Sequence, residues 1–196
     1  MDYFLTEEQL MIKEIARKIA EERVLPIRQE LDEKAEFPRE IVKEIAQADL
    51  FRVFIPEEHD GLGMGIFGMC LAVEELARVE AGTAICYAGS GLGAIPIMIA
   101  GSEEQKKKYL PPIASGEKLA AFAITEADAG SDASNIQTTA RREGDYYILN
   151  GTKQFITNGG EADIYVVFAT VDKRKGARGI TAFIVEKGME GFNFGK

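Results

Sequence analysis

Two segments of the sequence combine the residue types that could hold a planar ligand. Residues 122–132 run Phe-Ala-Ile-Thr-Glu-Ala-Asp-Ala-Gly-Ser-Asp, a strand-like apolar start that stops abruptly in a loop of small and hydroxyl-bearing residues. A second junction of this kind follows at residues 153–160, Lys-Gln-Phe-Ile-Thr-Asn-Gly-Gly. Two such strand ends can present backbone N–H and hydroxyl donors beside a flat aromatic side chain. This combination is suited to a planar cofactor with a polar edge.

These two motifs resemble the flavin-binding signature of the acyl-CoA dehydrogenase family. In that family the first motif runs approximately aromatic-x-hydrophobic-Thr-Glu-Pro-x-Ala-Gly-Ser-Asp, and the second contains Trp-Ile-Thr-Asn-Gly. The resemblance extends from the helical start of the chain to Gly195, and the pattern looks most like short-chain, butyryl-type members. It implies an FAD-dependent enzyme that introduces an α,β double bond into an acyl-CoA thioester and passes electrons to an electron-transfer flavoprotein. It also implies a homotetramer in the complete enzyme.

The resemblance assigns nine residues of this sequence to cofactor binding. They are Phe122, Ile124, Thr125, Ala129, Gly130, Ser131, Phe155, Ile156 and Thr157. Phe122 and Ile124 would pack near the isoalloxazine ring, and Thr125 would hydrogen-bond its pyrimidine edge. Gly130 and Ser131 would approach the pyrophosphate and the CoA arm, because a missing side chain and a short hydroxyl allow close contact. Ser131 is therefore also implied as a substrate-binding residue.

The second junction would supply an aromatic cover and the hydroxyl nearest to the reacting atoms. Phe155 stands where the family usually has Trp and would cover one ring face. The Thr157 hydroxyl would point at flavin N5, the hydride acceptor, where a donor favours the charge of the reduced flavin. A second departure is Ala127, which replaces the family's Pro and removes a fixed φ angle from the loop. We expect both departures to change affinity or rate more than reaction type.

Each motif taken alone has a simpler structural interpretation. The residues after Ile124 are typical loop formers, and an aromatic side chain such as Phe155 more often belongs to a core. The occurrence of both motifs in this order, behind a helical half, favours the cofactor site.

The implied reaction also needs a base that removes the weakly acidic α-proton of the thioester. In the family this base is a glutamate beyond the β domain. No residue of this sequence matches it, so we assign no catalytic residue to the chain, and we interpret Glu126 and Asp132 as carboxylates that order the first loop. We therefore expect the isolated chain of 196 residues to be inactive. The alternatives are an oxidase of the same superfamily, and a non-catalytic subunit or scaffold fragment completed by another polypeptide.

Composition and charge argue against several other classes of protein. The net charge of −9 is unfavourable for binding nucleic acid, and the one basic run, residues 106–108, follows two glutamates on a predicted helix. His59, the single histidine, lies in a predicted surface turn, and Cys70 and Cys86 lie in apolar segments without metal-ligand spacing. The N-terminus lacks the basic start and apolar block of a secretory signal. We therefore expect a cytoplasmic protein with reduced, buried thiols and no metal site.

An uncharged segment, residues 81–102, is about long enough to span a bilayer. It contains five glycines and Pro96 and is flanked by Glu80 and Glu103 instead of basic residues, so we interpret it as a buried helix and expect no membrane span. Within it, residues 89–94 formally match G-x-G-x-x-G/A. A dinucleotide-binding fingerprint follows a strand, whereas this segment follows a predicted helix. We assign these glycines to close helix packing, or to the wall of the acyl pocket that the resemblance implies.

The pattern changes near Lys118 and predicts two domains. Residues 1–117 carry apolar residues at helical spacing and are predicted to form an antiparallel helical bundle. A capping box at Thr6 begins its first helix, and Pro111 ends its last. Residues 118–196 alternate short β-like runs with turns, which predicts an antiparallel sheet or partial barrel.

The predicted strands give an α+β class. They cover residues 120–125, 138–142, 146–149, 164–170 and 180–185, and the second and third form a hairpin. The chain stops at Lys196 in what we expect to be mid-strand. By resemblance the β domain is incomplete and a C-terminal helical domain is absent.

Overall fold

The computed structural model describes residues 4–195. Residues 1–3 and Lys196, which enter the expectations about a leader sequence and the last strand, lie outside the described residues. The α-helices are α1 (Glu7–Ile19), α2 (Arg28–Lys34), α3 (Arg39–Gln47), α4 (Gly65–Ala77), α5 (Ala81–Ala100) and α6 (Glu103–Ala114). The strands are β1 (Ala120–Ala123), β2 (Thr139–Glu143), β3 (Tyr146–Asn150), β4 (Ile164–Thr170) and β5 (Ile180–Glu186). A π-helical turn extends α1, and short 3₁₀ turns cover Leu50–Arg52, Glu57–His59, Ala133–Asn135 and Lys173–Gly179.

Capping boxes begin α1 and α6. The Thr6 hydroxyl accepts from Gln9 N at 3.3 Å, and Gln9 Oε1 accepts from Thr6 N at 3.0 Å. This reciprocal pair confirms the predicted start of α1. Ser102 and Gln105 form the same pair at the start of α6.

Helix α6 continues through Pro111 and Pro112 to Ala114, so the prediction that the prolines end it is wrong. Proline lacks an N–H group and crowds the preceding turn, which is why a helix end was expected there. The last turn persists because Ile113 and Ala114 are completely buried. Ser115 N also donates to Pro111 O at 3.0 Å, which extends the helical hydrogen-bonding by one residue.

Helix α5 is the centre of the fold, packed against α4, α6 and β1. The buried Tyr87 ring meets Phe51 edge-on at 5.4 Å, and its hydroxyl donates to Leu50 O at 2.9 Å. Burial raises the pKa of Tyr87. Within residues 4–195, α5 alone has the length and composition that crossing a membrane requires, yet half of it is buried inside this protein. That packing supports its interpretation as a core helix.

The glycines within residues 89–94 serve close packing. A Cβ on Gly93 would lie 2.7 Å from Ala121 N of β1, and a Cβ on Gly91 would collide with the Met69 thioether. Helix α4, not a strand, precedes α5. The packing interpretation is confirmed, and these glycines form no dinucleotide-binding loop.

The strands form one mixed sheet. Central strand β4 is parallel to β1, with Ala120 opposite Ile164, and antiparallel to β5, with Ile164 opposite Glu186. Its continuous apolar run is typical of a strand covered on both faces. The α+β class is confirmed. The sheet was expected to be antiparallel or a partial barrel; it contains antiparallel pairs but also the parallel pair of β1 and β4, and is therefore mixed. The long crossover between β1 and β4, which contains the hairpin, lets these two strands run parallel, and the sheet does not close on itself.

The predicted hairpin is confirmed. Strands β2 and β3 pair antiparallel from Thr139 opposite Asn150 at the base to a turn at Gly144, whose φ of 61° suits glycine. A single residue pair, Thr139 opposite Thr170, joins the hairpin to β4.

Three local expectations differ from the structure. His59 is buried instead of lying at the surface, because its 3₁₀ turn packs against α6. Cys70 is exposed on the solvent side of α4, whereas Cys86 is half-buried and burial raises its pKa to about 11; both thiols are free. Residues 187–195 form turns and irregular structure in place of a strand, and their aromatic rings pack against Tyr165.

Candidate functional site

The structure brings the two junctions together along one edge of β1. Residues 153–163 run back beside this strand, because Gln154 N donates to Thr125 O at 3.0 Å at one end and Asp163 N donates to Leu119 O at 2.9 Å at the other. Lys153 Nζ adds a hydrogen bond of 3.0 Å to the carbonyl of Ile124. The two loops therefore form one continuous surface.

Glu126 fixes the contact between the two junctions. Only 7% of it is exposed, and its carboxylate accepts from Lys153 Nζ at 2.6 Å, Gln137 N at 2.5 Å, and Thr138 N and Oγ1 at 3.0 and 2.5 Å. Burial alone would raise the pKa of Glu126, but these hydrogen bonds outweigh it and lower the pKa to about 2. The carboxylate stays ionised with its lone pairs occupied. It orders the loop, as expected from the sequence, and is unsuited to removing a proton from a substrate.

Asp132, the other carboxylate of the first loop, is exposed at the surface. It accepts from the Ser134 hydroxyl at 2.5 Å, and its carbonyl accepts from Asn135 N at 3.1 Å. These bonds close a local turn, in agreement with the loop-ordering interpretation.

The strand end of the first junction leaves three of the assigned residues partly accessible. The half-buried Phe122 ring packs against Phe168 of β4 at a centroid distance of 4.8 Å. Ile124 and Thr125 are also half-buried. The Thr125 carbonyl accepts from Gln154 N, and among the described residues neither its hydroxyl nor its N–H has a hydrogen-bond partner, so both can contact a ligand.

The loop of the first junction divides into a structural and an open part. Ala129 is buried, and its N–H and carbonyl bond Glu126 at 3.2 and 3.0 Å, so its backbone groups serve the loop itself. Gly130 and Ser131 are exposed, and a Cβ on Gly130 would contact no atom within 4 Å. The space beside Gly130 is thus open to a ligand.

The second junction presents an uncovered aromatic ring. Phe155 is 86% exposed and has a φ of 56°. A bulky residue in this left-handed region costs about 1–3 kcal/mol and persists only where its surroundings impose it. Ile156 packs towards the cluster around Ala121 and Tyr165, so it anchors the loop, and Thr157 is half-buried beside it.

Apart from the buried Ala129, the assigned residues of the two junctions are half-buried or exposed, so a ligand can reach this surface. A groove of about 620 Å³ lies elsewhere, beside the hairpin, between Arg141, Tyr147, Thr170 and Lys173. Within residues 4–195, no group of His, Cys, Asp and Glu side chains is arranged to hold a metal ion.

Comparison with known proteins decides the family. Residues 6–117 match the acyl-CoA dehydrogenase N-terminal domain, and residues 121–196 match the acyl-CoA dehydrogenase middle domain. The chain belongs to the acyl-CoA dehydrogenase family.

Two relatives resemble the whole chain. A short-chain-specific acyl-CoA dehydrogenase from Clostridium acetobutylicum is 46% identical over 197 residues, which cover 100% of this chain and 52% of the relative. A 3-(aryl)acrylate reductase from Clostridium sporogenes is 47% identical over 195 residues, which cover 98% of this chain and 52% of the relative. The chain thus spans about half the length of these two relatives.

Solved structures share the same fold. Butyryl-CoA dehydrogenase from Megasphaera elsdenii has a TM-score of 0.95 and 44% identity, covering 100% of this chain and 52% of its own. A chain in a structure reported for the electron transferring flavoprotein of Acidaminococcus fermentans has a TM-score of 0.96 and 50% identity, with the same coverage. An acyl-CoA dehydrogenase from Bacillus anthracis complexed with FAD has a TM-score of 0.83 and 40% identity, covering 94% of this chain and 31% of its own.

The residues of this acyl-CoA dehydrogenase surface suit a flavin. The exposed Phe155 ring can stack on a planar heterocycle, and the hydroxyls of Thr125 and Thr157 can donate to its polar atoms. Open space at Gly130 and Ser131 leaves room for a phosphate chain.

Sequence reasoning missed the residues that hold this surface in place. Lys153 and Thr138 secure Glu126, and Asn158 and Gly89 hold Thr157. One signal was available for Asn158: asparagine next to glycines often adopts the left-handed conformation, and its φ is 62°.

Proposed function

We propose that this chain supplies part of the flavin and thioester site of an FAD-dependent dehydrogenase that desaturates short-chain acyl-CoA thioesters. The observation that carries the proposal is the exposed, strained Phe155 ring beside Thr157, on a loop hydrogen-bonded to the first junction. The short-chain and butyryl relatives support the substrate class, and the FAD-bound relative supports the cofactor.

Each residue of the surface has a definite task in this proposal. Phe155 stacks on one face of the ring, while Thr125 and Thr157 donate hydrogen bonds to its polar edge. Gly130 allows close approach of the pyrophosphate, and the Ser131 hydroxyl bonds the CoA arm. When bound, FAD supplies the acceptor for the hydride that leaves the β-carbon.

The base for the α-proton is proposed to lie on polypeptide beyond this chain. Glu126 has its lone pairs occupied by Lys153, Gln137 and Thr138, and its pKa is about 2. Asp132 is engaged with Ser134 at the surface. The chain alone is therefore proposed to bind but not to turn over.

The proposed partners follow from the same relatives. We propose an acyl-CoA substrate, an electron-transfer flavoprotein as electron acceptor, and a homotetramer in the cytoplasm. The similarity to a chain in the electron transferring flavoprotein structure supports the acceptor, and the two free thiols suit a reducing compartment.

A second candidate is a non-catalytic subunit completed by another polypeptide. It is favoured by the apolar side chains of Ile85, Leu92 and Ile99, which are exposed along one side of α5. If a second polypeptide associates with the chain and the complex turns over, the result supports the enzyme. If the two associate and the complex still does not turn over, the result supports the non-catalytic subunit.

The test measures FAD binding by the purified chain and by Phe155→Asn. Asparagine tolerates the left-handed φ, so the fold should be kept while the ring is lost. We expect FAD affinity to fall about fivefold, because stacking contributes on the order of 1 kcal/mol.

The matched control is Tyr146→Asn, which removes an exposed ring from the hairpin tip. It should bind FAD as the unchanged chain does. If the unchanged chain binds no FAD, or both variants bind equally, the proposed site is wrong. Steady-state reduction of an acceptor dye with butyryl-CoA by the chain alone would contradict the proposed absence of a base.

A further inference from the structure

The side chain of Asn158 is wedged between the helical part and the sheet. It is 7% exposed, and its Nδ2 donates to Cys86 O of α5 at 2.9 Å and to Ala120 O of β1 at 3.3 Å. Ser90 Oγ lies 3.4 Å from the same nitrogen. Two elements distant in sequence are therefore bridged by one amide group that belongs to the second junction.

The backbone of Asn158 is held as firmly as its side chain. Its carbonyl accepts from Ala162 N at 2.8 Å and Glu161 N at 3.0 Å, with the Tyr165 hydroxyl at 3.4 Å. Its φ of 62° is a conformation that most residues avoid. Asparagine suits this position because it tolerates the left-handed φ of the turn and its side-chain N–H groups supply the buried hydrogen bonds.

The amide oxygen shows what this arrangement costs. Asn158 Oδ1 is buried without a hydrogen-bond partner among the described residues. A buried acceptor without a partner costs about 1–3 kcal/mol. The contribution of Asn158 therefore comes from the hydrogen bonds that its side-chain N–H groups and its backbone make, and not from its amide oxygen.

Gly89 of α5 limits where Thr157 can lie. A Cβ on Gly89 would be 2.6 Å from Thr157 Cγ2 and 3.1 Å from Asn158 Nδ2. Carbon atoms of residues that are not neighbours in the chain do not approach to 2.6 Å, so any side chain at this helix position would displace Thr157. The Thr157 methyl group rests on bare helix backbone.

We infer that Gly89 and Asn158 are positioning residues that orient the Thr157 hydroxyl towards the isoalloxazine ring, so that helix α5 sets the geometry of the flavin site. The inference rests on the proposed function for the identity of the ring. The missing side chain of Gly89 allows Thr157 to pack directly on the helix backbone. Asn158, the next residue after Thr157, is hydrogen-bonded to α5 and β1.

The test compares two glycine substitutions on the same helix. Gly89→Ala should displace Thr157, weaken FAD binding about tenfold through loss of one well-placed hydrogen bond, and shift the visible spectrum of the bound flavin. Gly91→Ala, the matched control, presses on the flexible Met69 side chain instead and should leave both unchanged. Equal effects of the two substitutions would overturn the inference.

A rescue separates positioning from general damage. Thr157→Ser keeps the hydroxyl and removes the methyl group that a new Cβ would meet. Gly89→Ala combined with Thr157→Ser should therefore regain most of the affinity and the spectrum of Thr157→Ser alone, a coupling that independent effects do not produce. Additive losses would contradict the inference.

A measurement without FAD keeps this inference distinct from the proposed function. In the ligand-free chain, NMR should detect a nuclear Overhauser effect between the Thr157 methyl group and the Gly89 α-protons, absent in Gly89→Ala. If the unchanged chain binds no FAD but shows this contact, the flavin assignment fails while the helix seat for Thr157 stands. If the contact is absent, the positioning inference fails whatever the chain binds.

Discussion

At Glu126 a buried carboxylate is stabilised entirely by groups far from it in the sequence. Its partners lie 11, 12 and 27 residues away, and together they tie the first loop, the start of β2 and the second loop into one unit. The position of the flavin-facing residues depends on this unit, because Thr125 and Gln154 are its immediate neighbours. A change at this residue should therefore be felt in both loops.

We expect Glu126→Gln to lower the free energy of unfolding by about 3 kcal/mol at neutral pH, because it leaves the buried Lys153 charge without its partner. Asp132→Asn, at the exposed carboxylate of the same loop, should change it by less than about 0.5 kcal/mol. Urea unfolding measures both.

The pH dependence of Glu126→Gln has a defined sign. The pKa of Glu126 is about 2 in the folded chain against an ordinary 4.5, so its contribution is fully present above about pH 5 and is lost as pH falls towards 2. The difference in unfolding free energy between the unchanged chain and the variant should shrink over that range. A difference independent of pH would refute the assigned pKa.

Helices α1 and α4 are joined through a second buried carboxylate, Glu75. It is 2% exposed and is contacted by Arg17 at 3.0 Å, Lys13 at 3.2 Å and Arg78 at 3.3 Å. Hydrogen bonds from Arg17 are the main reason that its pKa is lowered to about 2. This cluster holds α1 against the helix that precedes α5.

We expect Glu75→Gln to destabilise the chain by about 3 kcal/mol in urea unfolding, because the carboxylate is the buried member of the cluster. Glu74→Gln is the matched control. Its side chain also contacts Lys13 at 3.0 Å but is 62% exposed, so the loss should stay below about 1 kcal/mol. Similar losses from both substitutions would show that burial does not decide the effect.

The elements that depend on neighbouring residues could be predicted from the sequence. The capping box at Thr6 and the hairpin around Gly144 are local patterns, and both were placed correctly. The parallel pairing of β1 with β4 could not be predicted, since it joins strands about forty residues apart. The same holds for the buried last turn of α6, where packing of Ile113 overrides the effect of two prolines.

The candidate site divides in the same way. The residue types of the site could be assigned because each motif is a contiguous stretch of the sequence. The left-handed φ of Phe155 and the contact of Thr157 with Gly89 could not be predicted, because each results from tertiary packing. Ala129 illustrates the limit, since its place in the motif gave no sign that its N–H is used within the loop.

Across the whole molecule, one side of α5 remains apolar and uncovered. Ile85, Leu92 and Ile99 are 52%, 46% and 78% exposed and recur every seven residues, so they lie on the same side of the helix. Uncovered apolar surface of this kind favours association.

We expect the purified chain to bind a hydrophobic dye and to self-associate at micromolar concentration. Ile85→Glu combined with Ile99→Glu should reduce both without loss of helix content, because both side chains are largely solvent-exposed. Tyr146→Glu, at an exposed ring on the hairpin, is the control. Sedimentation velocity measures the self-association. A monodisperse monomer that binds no dye would contradict the prediction that this surface associates.

The hairpin is paired with β4 only at its base, through Thr139 and Thr170. Thr138 beside that pair is hydrogen-bonded to both Glu126 and Thr170, while the far end at Tyr146 extends into solvent. Local unfolding of the hairpin should therefore start at its turn and proceed towards its base. Protection of the backbone amides from hydrogen exchange should increase from Gly144 to Thr138. Changes in the length of the turn at Gly144 should then be tolerated, because the hairpin contacts the rest of the protein at its base and through the Tyr147 ring, which packs against Phe183 of β5 at 5.1 Å.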